Sequence, residues 1–379
     1  MRLLVINGPN LNLLGKREPD IYGHETLADL EAAWVAQARA LEIDLDTLQT
    51  NHEGAIIDAL HDARGLVDGI VLNAGALTHY SYAIHDALVA CSIPTVEVHI
   101  SNIHEREVWR HTSVITPAAE AVIVGRGTDG YLNAIDHLHA LLSHPPTTHR
   151  YGPSADNILD VRSPHGDGPF KVAVIIHGGF WRTVYGKDIM DPVAIDLMDR
   201  GWATVNVEYR RGPGSYPAAC EDIDRALAWV IGNAVDQRFD PVSIVAIGHS
   251  AGGYLAVNAA HHRSDLAGVV GLAAITDLVA SRDTGPQDDP VSAFIGGPHA
   301  THGASWSAAE ITGRPASPVS LIHGAMDVEV DPSQSEAYVQ LRGGHTPLSM
   351  LGETGHMELI DPSHAAWESV VRALDAYGR

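Results

Sequence analysis

At 379 residues the chain is long enough for two domains of about 100–200 residues, or one large one. Its 24 Lys and Arg against 47 Asp and Glu leave a formal net charge of −23, which argues against nucleic acid or an anionic membrane as the main partner but permits a small anion held by a few arginines. A composition of 45% hydrophobic and 19% charged residues excludes a mainly disordered chain, and two cysteines, Cys91 and Cys220, exclude a disulfide framework or a four-cysteine zinc site.

The first elements follow from hydrophobic periodicity. Apolar runs at 3–6, 69–73, 95–99 and 121–124 predict buried strands, and helical spacing at 27–41, 55–63, 82–90 and 131–142 predicts the helices between them. Such alternation implies a parallel sheet covered on both faces. Residues 143–170 interrupt it with Pro145-Pro146, Gly152-Pro153, Ser163-Pro164 and Pro169. It resumes with strands at 172–176, 203–209, 243–247, 268–274 and 319–323 and helices at 218–231 and 252–261, led by a strand at 157–161. The expected organisation is therefore a first domain over 1–143, a Pro-rich linker over 144–155 and a second domain over 156–379. No internal repeat links the halves. No apolar run approaches the roughly 20 residues of a membrane span, and the start of the chain shows no secretory pattern, so a cytoplasmic location is expected.

In the first half, chemistry-bearing residues sit just beyond the strands, where open α/β sheets bind ligands. These are Gly8-Pro9-Asn10-Leu11-Asn12, then Asn73-Ala74-Gly75-Ala76-Leu77-Thr78-His79, then Glu97-Val98-His99-Ile100-Ser101-Asn102. Gly15-Lys16-Arg17-Glu18-Pro19 leads into Tyr22-Gly23. In this order the motifs make residues 1–142 resemble the type II 3-dehydroquinate dehydratases. The resemblance implies a flavodoxin-like fold, assembly into dodecamers, and trans loss of water from 3-dehydroquinate through an enolate. It also implies the roles: Tyr22 as base, Arg17 as the cation polarising it, His99 as general acid and Asn10 orienting a water. Asn73, His79, Ile100, Ser101 and Arg110 would bind substrate, Arg106 would be a second cation, and Asp86 would reach in from a neighbouring subunit. The chemistry is coherent. Holding a phenol of ordinary pKa near 10 as phenolate near neutrality takes about 4 kcal/mol, and one guanidinium about 4 Å away supplies roughly that at an effective dielectric of 20. Thr112 stands where many relatives carry histidine.

Two further patterns carry little. Gly125-Arg126-Gly127-Thr128-Asp129-Gly130 fits a dinucleotide fingerprint, but about 20 residues on stands Arg150 rather than an acid, so a tight turn is expected. His104-Glu105 and His111 have the wrong spacing for a zinc helix. No cofactor and no metal are expected.

The second half contains Gly248-His249-Ser250-Ala251-Gly252 directly between a predicted strand and a predicted helix, the context a strained nucleophile turn requires. His177-Gly178-Gly179-Phe180-Trp181 follows an earlier strand, and the amides of Gly178, Gly179 and Ala251 are candidates for an oxyanion hole. In the expected chain order Asp327 is the acid and His356 the base, with Asp331 an alternative acid. Residues 150–379 resemble the α/β-hydrolase superfamily, in its esterase and arylformamidase branch, where Glu208-Tyr209-Arg210-Arg211 and Pro217-Ala218 also fit. Phe180, Trp181 and Tyr254 are expected to include pocket walls, with Trp181 equally suited to the core. The joint expectation is a bifunctional enzyme acting on small molecules, a dehydratase fused to an esterase that cleaves an ester such as one of quinate or shikimate. The alternatives are an arylformamidase or general carboxylesterase, or a non-catalytic second module.

Overall fold

The structure, a computed structural model, describes residues 1–16, 24–103, 106–281, 289–342 and 344–378. They fall into two compact units, Met1–Pro145 and Pro146–Arg379.

The first unit is built on strands β1 (Arg2–Asn7), β2 (Asp44–Gln49), β3 (Gly69–Asn73), β4 (Thr95–His99) and β5 (Ala121–Val124), all parallel, in the order β2-β1-β3-β4-β5. That is the flavodoxin-like order, and its direction reverses between β1 and β3, so the loops leaving those strands part to open a crevice. Helices α1 (Leu27–Ala40), α2 (Glu53–Ala63), α3 (Tyr82–Cys91) and α4 (Asp129–Ser143) cover the faces. Helix α1 starts where Thr26 accepts from the Asp29 amide and the Asp29 side chain answers at the Thr26 amide, a reciprocal cap. Its buried Leu30, Trp34 and Ala38 recur every fourth residue and meet Tyr131, Ala134 and Leu138 of α4, with the Trp34 and Tyr131 rings stacked 4.5 Å apart. Strand β2 escapes the periodicity analysis because its sequence, Asp-Leu-Asp-Thr-Leu-Gln, lies at the sheet edge with no residue fully buried.

The second unit holds strands β6 (Thr147–Arg150), β7 (Ile158–Arg162), β8 (Phe170–Ile176), β9 (Ala203–Val207), β10 (Phe239–His249), β11 (Gly268–Leu272), β12 (Val319–Gly324) and β13 (Leu348–Leu351). They form one sheet in the order β13-β12-β11-β10-β8-β9-β7-β6, antiparallel only where β7 meets β9 and β6 meets β7. One face is covered by α5 (Asp191–Asp199) and α11 (Trp367–Asp375), the latter through Trp367, Val370, Val371 and Leu374 at helical spacing. The other is covered by α6 (Ala218–Gly232), α7 (Ala251–His262), α8 (Pro290–Ile295), α9 (Gly303–Ala309) and α10 (Ser333–Leu341).

The segment 144–155, expected to be a linker, carries β6, whose residues pair from Thr147 with Val161 to Arg150 with Ile158. The proline break occupies only two residues. Beyond it, Thr147 and Thr148 favour an extended backbone that satisfies the free edge of β7, and the Tyr151 hydroxyl donates to the Glu208 carbonyl at 2.5 Å.

Candidate active sites

In the first unit, a cavity of about 290 Å³ opens where the loops after β1, β3 and β4 meet. Asn10, Asn73, His79, His99, Ile100, Ser101 and Arg110 all line it. Arg106 is not among its walls; it stands behind Ser101, Nη1 to Oγ at 3.3 Å. Asp86 is exposed on α3, away from the cavity of its own chain. Arg17 and Tyr22 lie outside the described residues.

His99 is nearly buried, and its Nε2 lies 2.9 Å from Oε1 of Glu97, which is fully buried. Sequence analysis missed Glu97 as a functional residue. The signal was the lone charge in strand Thr-Val-Glu-Val-His, two residues before His99 and therefore on the same face. The hydroxyls of Thr78, Ser113 and Thr116 close around the carboxylate, Ser113 at 2.9 Å and Thr116 at 2.5 Å. Burial by itself would raise the Glu97 carboxyl; the His99 ring and the Thr116 and Thr78 hydroxyls outweigh it and hold it below its ordinary value of 4.5. A carboxylate fixed in this way holds the His99 ring in place at the cavity wall. A group depressed on folding contributes stability above its ordinary value and loses it as pH falls through its lower folded value. Glu97→Gln is thus expected to slow turnover at this site by about 10–100-fold, and to flatten the fall of melting temperature with pH below about 4.5, read by thermal denaturation across a pH series.

His79 is set by a different contact. Its Nδ1 donates to the Thr112 carbonyl at 2.8 Å, so Nε2 carries the lone pair. Burial, followed by His99 and Arg110, outweighs that contact and lowers its proton affinity, keeping it a neutral acceptor. Because the Thr112 contact runs through the backbone, the departure from histidine at that position leaves it intact. The Arg110 guanidinium lies 4.0 Å over the Trp109 ring and its Nε donates to Glu107 at 2.9 Å.

The Asn73 amide is oriented by a chain of buried groups. Its Oδ1 accepts from the Gly75 amide at 3.1 Å, its Nδ2 donates to the Tyr131 hydroxyl at 2.8 Å, and that hydroxyl donates to Asn7 Oδ1 at 2.6 Å. Tyr131→Phe removes the anchor and is expected to raise KM several-fold while changing kcat less, as steady-state kinetics would read. The glycine-rich turn at 125–130 supports the same region. The Gly125 and Gly127 amides donate to the His99 and Ile100 carbonyls, each at 3.0 Å, from positive φ values of 72° and 59°.

In the second unit, Ser250 sits between β10 and α7 at φ 56°, ψ −118°, a strained turn. A Cβ on Gly248 would lie 2.3 Å from the Gly252 carbonyl oxygen, and one on Gly252 would lie 2.3 Å from the Ile176 and His177 oxygens, so both must be glycine. Gly178 packs directly on the serine, its ideal Cβ position only 3.0 Å from Ser250 Cβ, which brings the Gly178-Gly179 loop beside the start of α7 at Ala251. The Ser250 amide is spent on the Leu272 carbonyl at 2.8 Å. His177 holds the loop from behind, Nδ1 to the Gly178 carbonyl at 2.8 Å and Nε2 to Glu208 at 2.9 Å; burial and then Arg211 push it down to about 3.

His356 Nδ1 lies 2.7 Å from Asp327 Oδ2, while Asp327 Oδ1 accepts the amides of Glu329 and Val330 at 2.8 and 2.9 Å. Burial opposes ionisation of Asp327, but the His323 and His356 contacts prevail and hold its carboxyl far below the usual range. Asp331 is exposed and accepts the Ser333 amide at 2.9 Å, a turn role. His249 Nε2 meets the His356 carbonyl at 3.0 Å. Tyr254, expected among the pocket walls, is a core residue and donates to the Ala309 carbonyl at 2.8 Å; Trp181, suited equally to wall or core, lies in the core, stacked on Phe294 at 4.0 Å. Phe180 is half-buried. Among the described residues no cluster of His, Cys, Asp or Glu is arranged to hold a metal ion, and no helix is long and apolar enough to cross a membrane.

Comparison with known proteins agrees with this division. Residues 1–139 match the family described as dehydroquinase class II, and residues 159–341 match the family described as BD-FAE. A catabolic 3-dehydroquinase of Aspergillus oryzae is 57% identical over 136 residues, which span 36% of this chain and 89% of the relative. A 3-dehydroquinate dehydratase of Bacillus licheniformis is 56% identical over 135 residues, spanning 36% and 93%. A truncated carbohydrate esterase from gut microbiota superposes with a TM-score of 0.54 at 18% identity, over 61% of this chain and 96% of that one, a likeness of fold. With a flavodoxin-like sheet, a cavity at its switch point and more than half of the aligned residues of its first unit identical to these relatives, the chain belongs through residues 1–139 to the class II dehydroquinases, and it continues into a domain of α/β-hydrolase fold.

Proposed function

We propose that the chain is a bifunctional enzyme: its first unit dehydrates 3-dehydroquinate to 3-dehydroshikimate, and its second hydrolyses a carboxylic ester. The observation that carries the first reading is the buried Glu97–His99 pair opening on a cavity shared with His79 and Arg110. Tyr22, as phenolate beside Arg17, removes a proton from the carbon next to the ketone. The electron pair moves into an enolate, whose oxygen a water held by Asn10 stabilises. His99 then protonates the departing hydroxyl, which leaves as water while the enolate re-forms the ketone conjugated to the new double bond. Arg110 grips the substrate carboxylate, and His79, Asn73, Ser101 and the Ile100 backbone hold its oxygens. The conjugated product absorbs in the ultraviolet, so mixing 3-dehydroquinate with the purified chain tests the reading; an unchanged spectrum would overturn it.

In the second unit Ser250 attacks the acyl carbon, His356 takes its proton and returns it to the leaving alcohol, and Asp327 stabilises the imidazolium. The Gly178, Gly179 and Ala251 amides face the oxyanion. Esters of quinate or shikimate would connect the two activities through one ring system. A panel of quinate, shikimate, simple acyl and formamide substrates decides the class, and cleavage of formanilides alone would replace the esterase with a formamidase. The first unit is proposed to self-associate, because exposed Tyr82 and Val89 flank Asp86 on α3, with exposed Tyr80 just before the helix, and a neighbour's Asp86 would complete each cavity. Light scattering reads the expected dodecamer directly.

A further inference from the structure

The nucleophile's acid has two histidines, and only one is in the sequence motif. His323, the penultimate residue of β12 and four residues before Asp327, is fully buried and places Nε2 3.2 Å from Asp327 Oδ2, the same oxygen that His356 contacts. Nε2 also lies 2.9 Å from the Val330 carbonyl, and Nδ1 lies 2.8 Å from Ser335 Oγ. A carbonyl and a carboxylate are acceptors alone, so Nε2 carries the hydrogen, which bonds the Val330 carbonyl and turns the positive end of the N–H towards Asp327 Oδ2 3.2 Å away. Nδ1 in turn pairs with the Ser335 hydroxyl, so the ring is held at both nitrogens. Both nitrogens of His323 are thus committed within the unit, and it cannot act as the base. His356, half-buried, uses Nδ1 on Asp327 and has no partner at Nε2 among the described residues.

We propose that His323 is a positioning residue of the hydrolase: its Nε2–H fixes the Asp327 carboxylate and draws off part of its charge, so that Asp327 orients His356 without binding its proton too firmly. This rests on reading Ser250, His356 and Asp327 as a hydrolase. Val330 matters for the same reason. Its amide binds Asp327 Oδ1 while its carbonyl receives the His323 hydrogen, so one residue ties the acid and its partner together. If the Nε2–H were lost, Asp327 would regain charge density, His356 would hold its proton to higher pH, and the carboxylate could rotate. The other titratable groups around the pair are His249, with its ring 4.5 Å from that of His356, exposed Asp331, and Glu358 beside Gly355. They stay in place in every variant below, so a difference between variants reports His323.

The experiment measures pH profiles of kcat and KM for p-nitrophenyl acetate on the full chain carrying His323→Leu, His323→Gln or Ser335→Ala, with Ser250→Ala as reference. His323→Leu is expected to lower kcat about 10–100-fold with KM within about twofold, and to move the acid limb up by about half to one pH unit. His323→Gln, which keeps a donor near the Nε2 position, should restore most of the rate and the limb. Ser335→Ala, a smaller change that frees the ring at Nδ1, should move the limb in the same direction by less, and it decides the matter should His323→Leu not fold. A limb unmoved in the folded variants, or equal losses in the Leu and Gln variants, overturns the proposal alone. Hydrolysis by the wild-type chain that Ser250→Ala does not remove overturns the hydrolase reading and the proposal with it.

Discussion

Ser250→Ala is expected to remove ester hydrolysis by about 10⁶-fold in kcat, close to the loss of the whole triad, while 3-dehydroquinate turnover stays unchanged. The size follows from chemistry: without the hydroxyl there is no acyl-enzyme, and neither His356 nor Asp327 has a proton to relay. The separation follows from construction, because each unit carries its own cores and its own sheet. The folding cost is expected to be small. Alanine at φ 56° is strained as serine is, and the turn is held by the Ser250 amide on the Leu272 carbonyl, which survives the change. Parallel assays with p-nitrophenyl acetate and 3-dehydroquinate on the same preparation check both halves of the statement. Residual ester cleavage within tenfold of wild type would remove Ser250 from the mechanism.

Tyr22→Phe is expected to do the reverse, lowering dehydration by at least about 10³-fold and leaving ester hydrolysis intact. Phenylalanine keeps the ring and takes away only the oxygen proposed to accept the proton. In the proposed mechanism the acid cannot compensate, since His99 is tied to Glu97 and is assigned to the departing hydroxyl. The substrate should still bind through Arg110, His79 and Asn73, so the loss belongs in kcat, and KM should move within a few-fold. Following the ultraviolet absorbance of the conjugated product gives both constants; a kcat reduced less than tenfold would require another base.

Much of both sites was readable from residue order. The buried strands are runs of branched apolar residues, and the site residues stand immediately after them, where the carboxyl edge of a parallel sheet must place them. Gly248 and Gly252 bracket Ser250 because no side chain fits there, and that constraint is visible in the one-dimensional pattern. Edge elements were harder to see. Strand β2 buries no face completely, and β6 is a four-residue strand following two prolines, so neither has the periodicity of a core element.

What the amino-acid order determined by itself was local: which segments are buried in a sheet, where the turns fall, and which reactive side chains follow each strand. Those properties depend on neighbours within a few residues. What only the tertiary structure decided was how the reactive groups are held. Glu97 draws hydroxyls from two separate segments, Thr78 in one and Ser113 and Thr116 in the other, and Asp327 shares one oxygen between histidines 33 residues apart, His323 and His356. A buried charge is stable only when separate pieces of chain converge to satisfy it, and that convergence is a property of the folded packing.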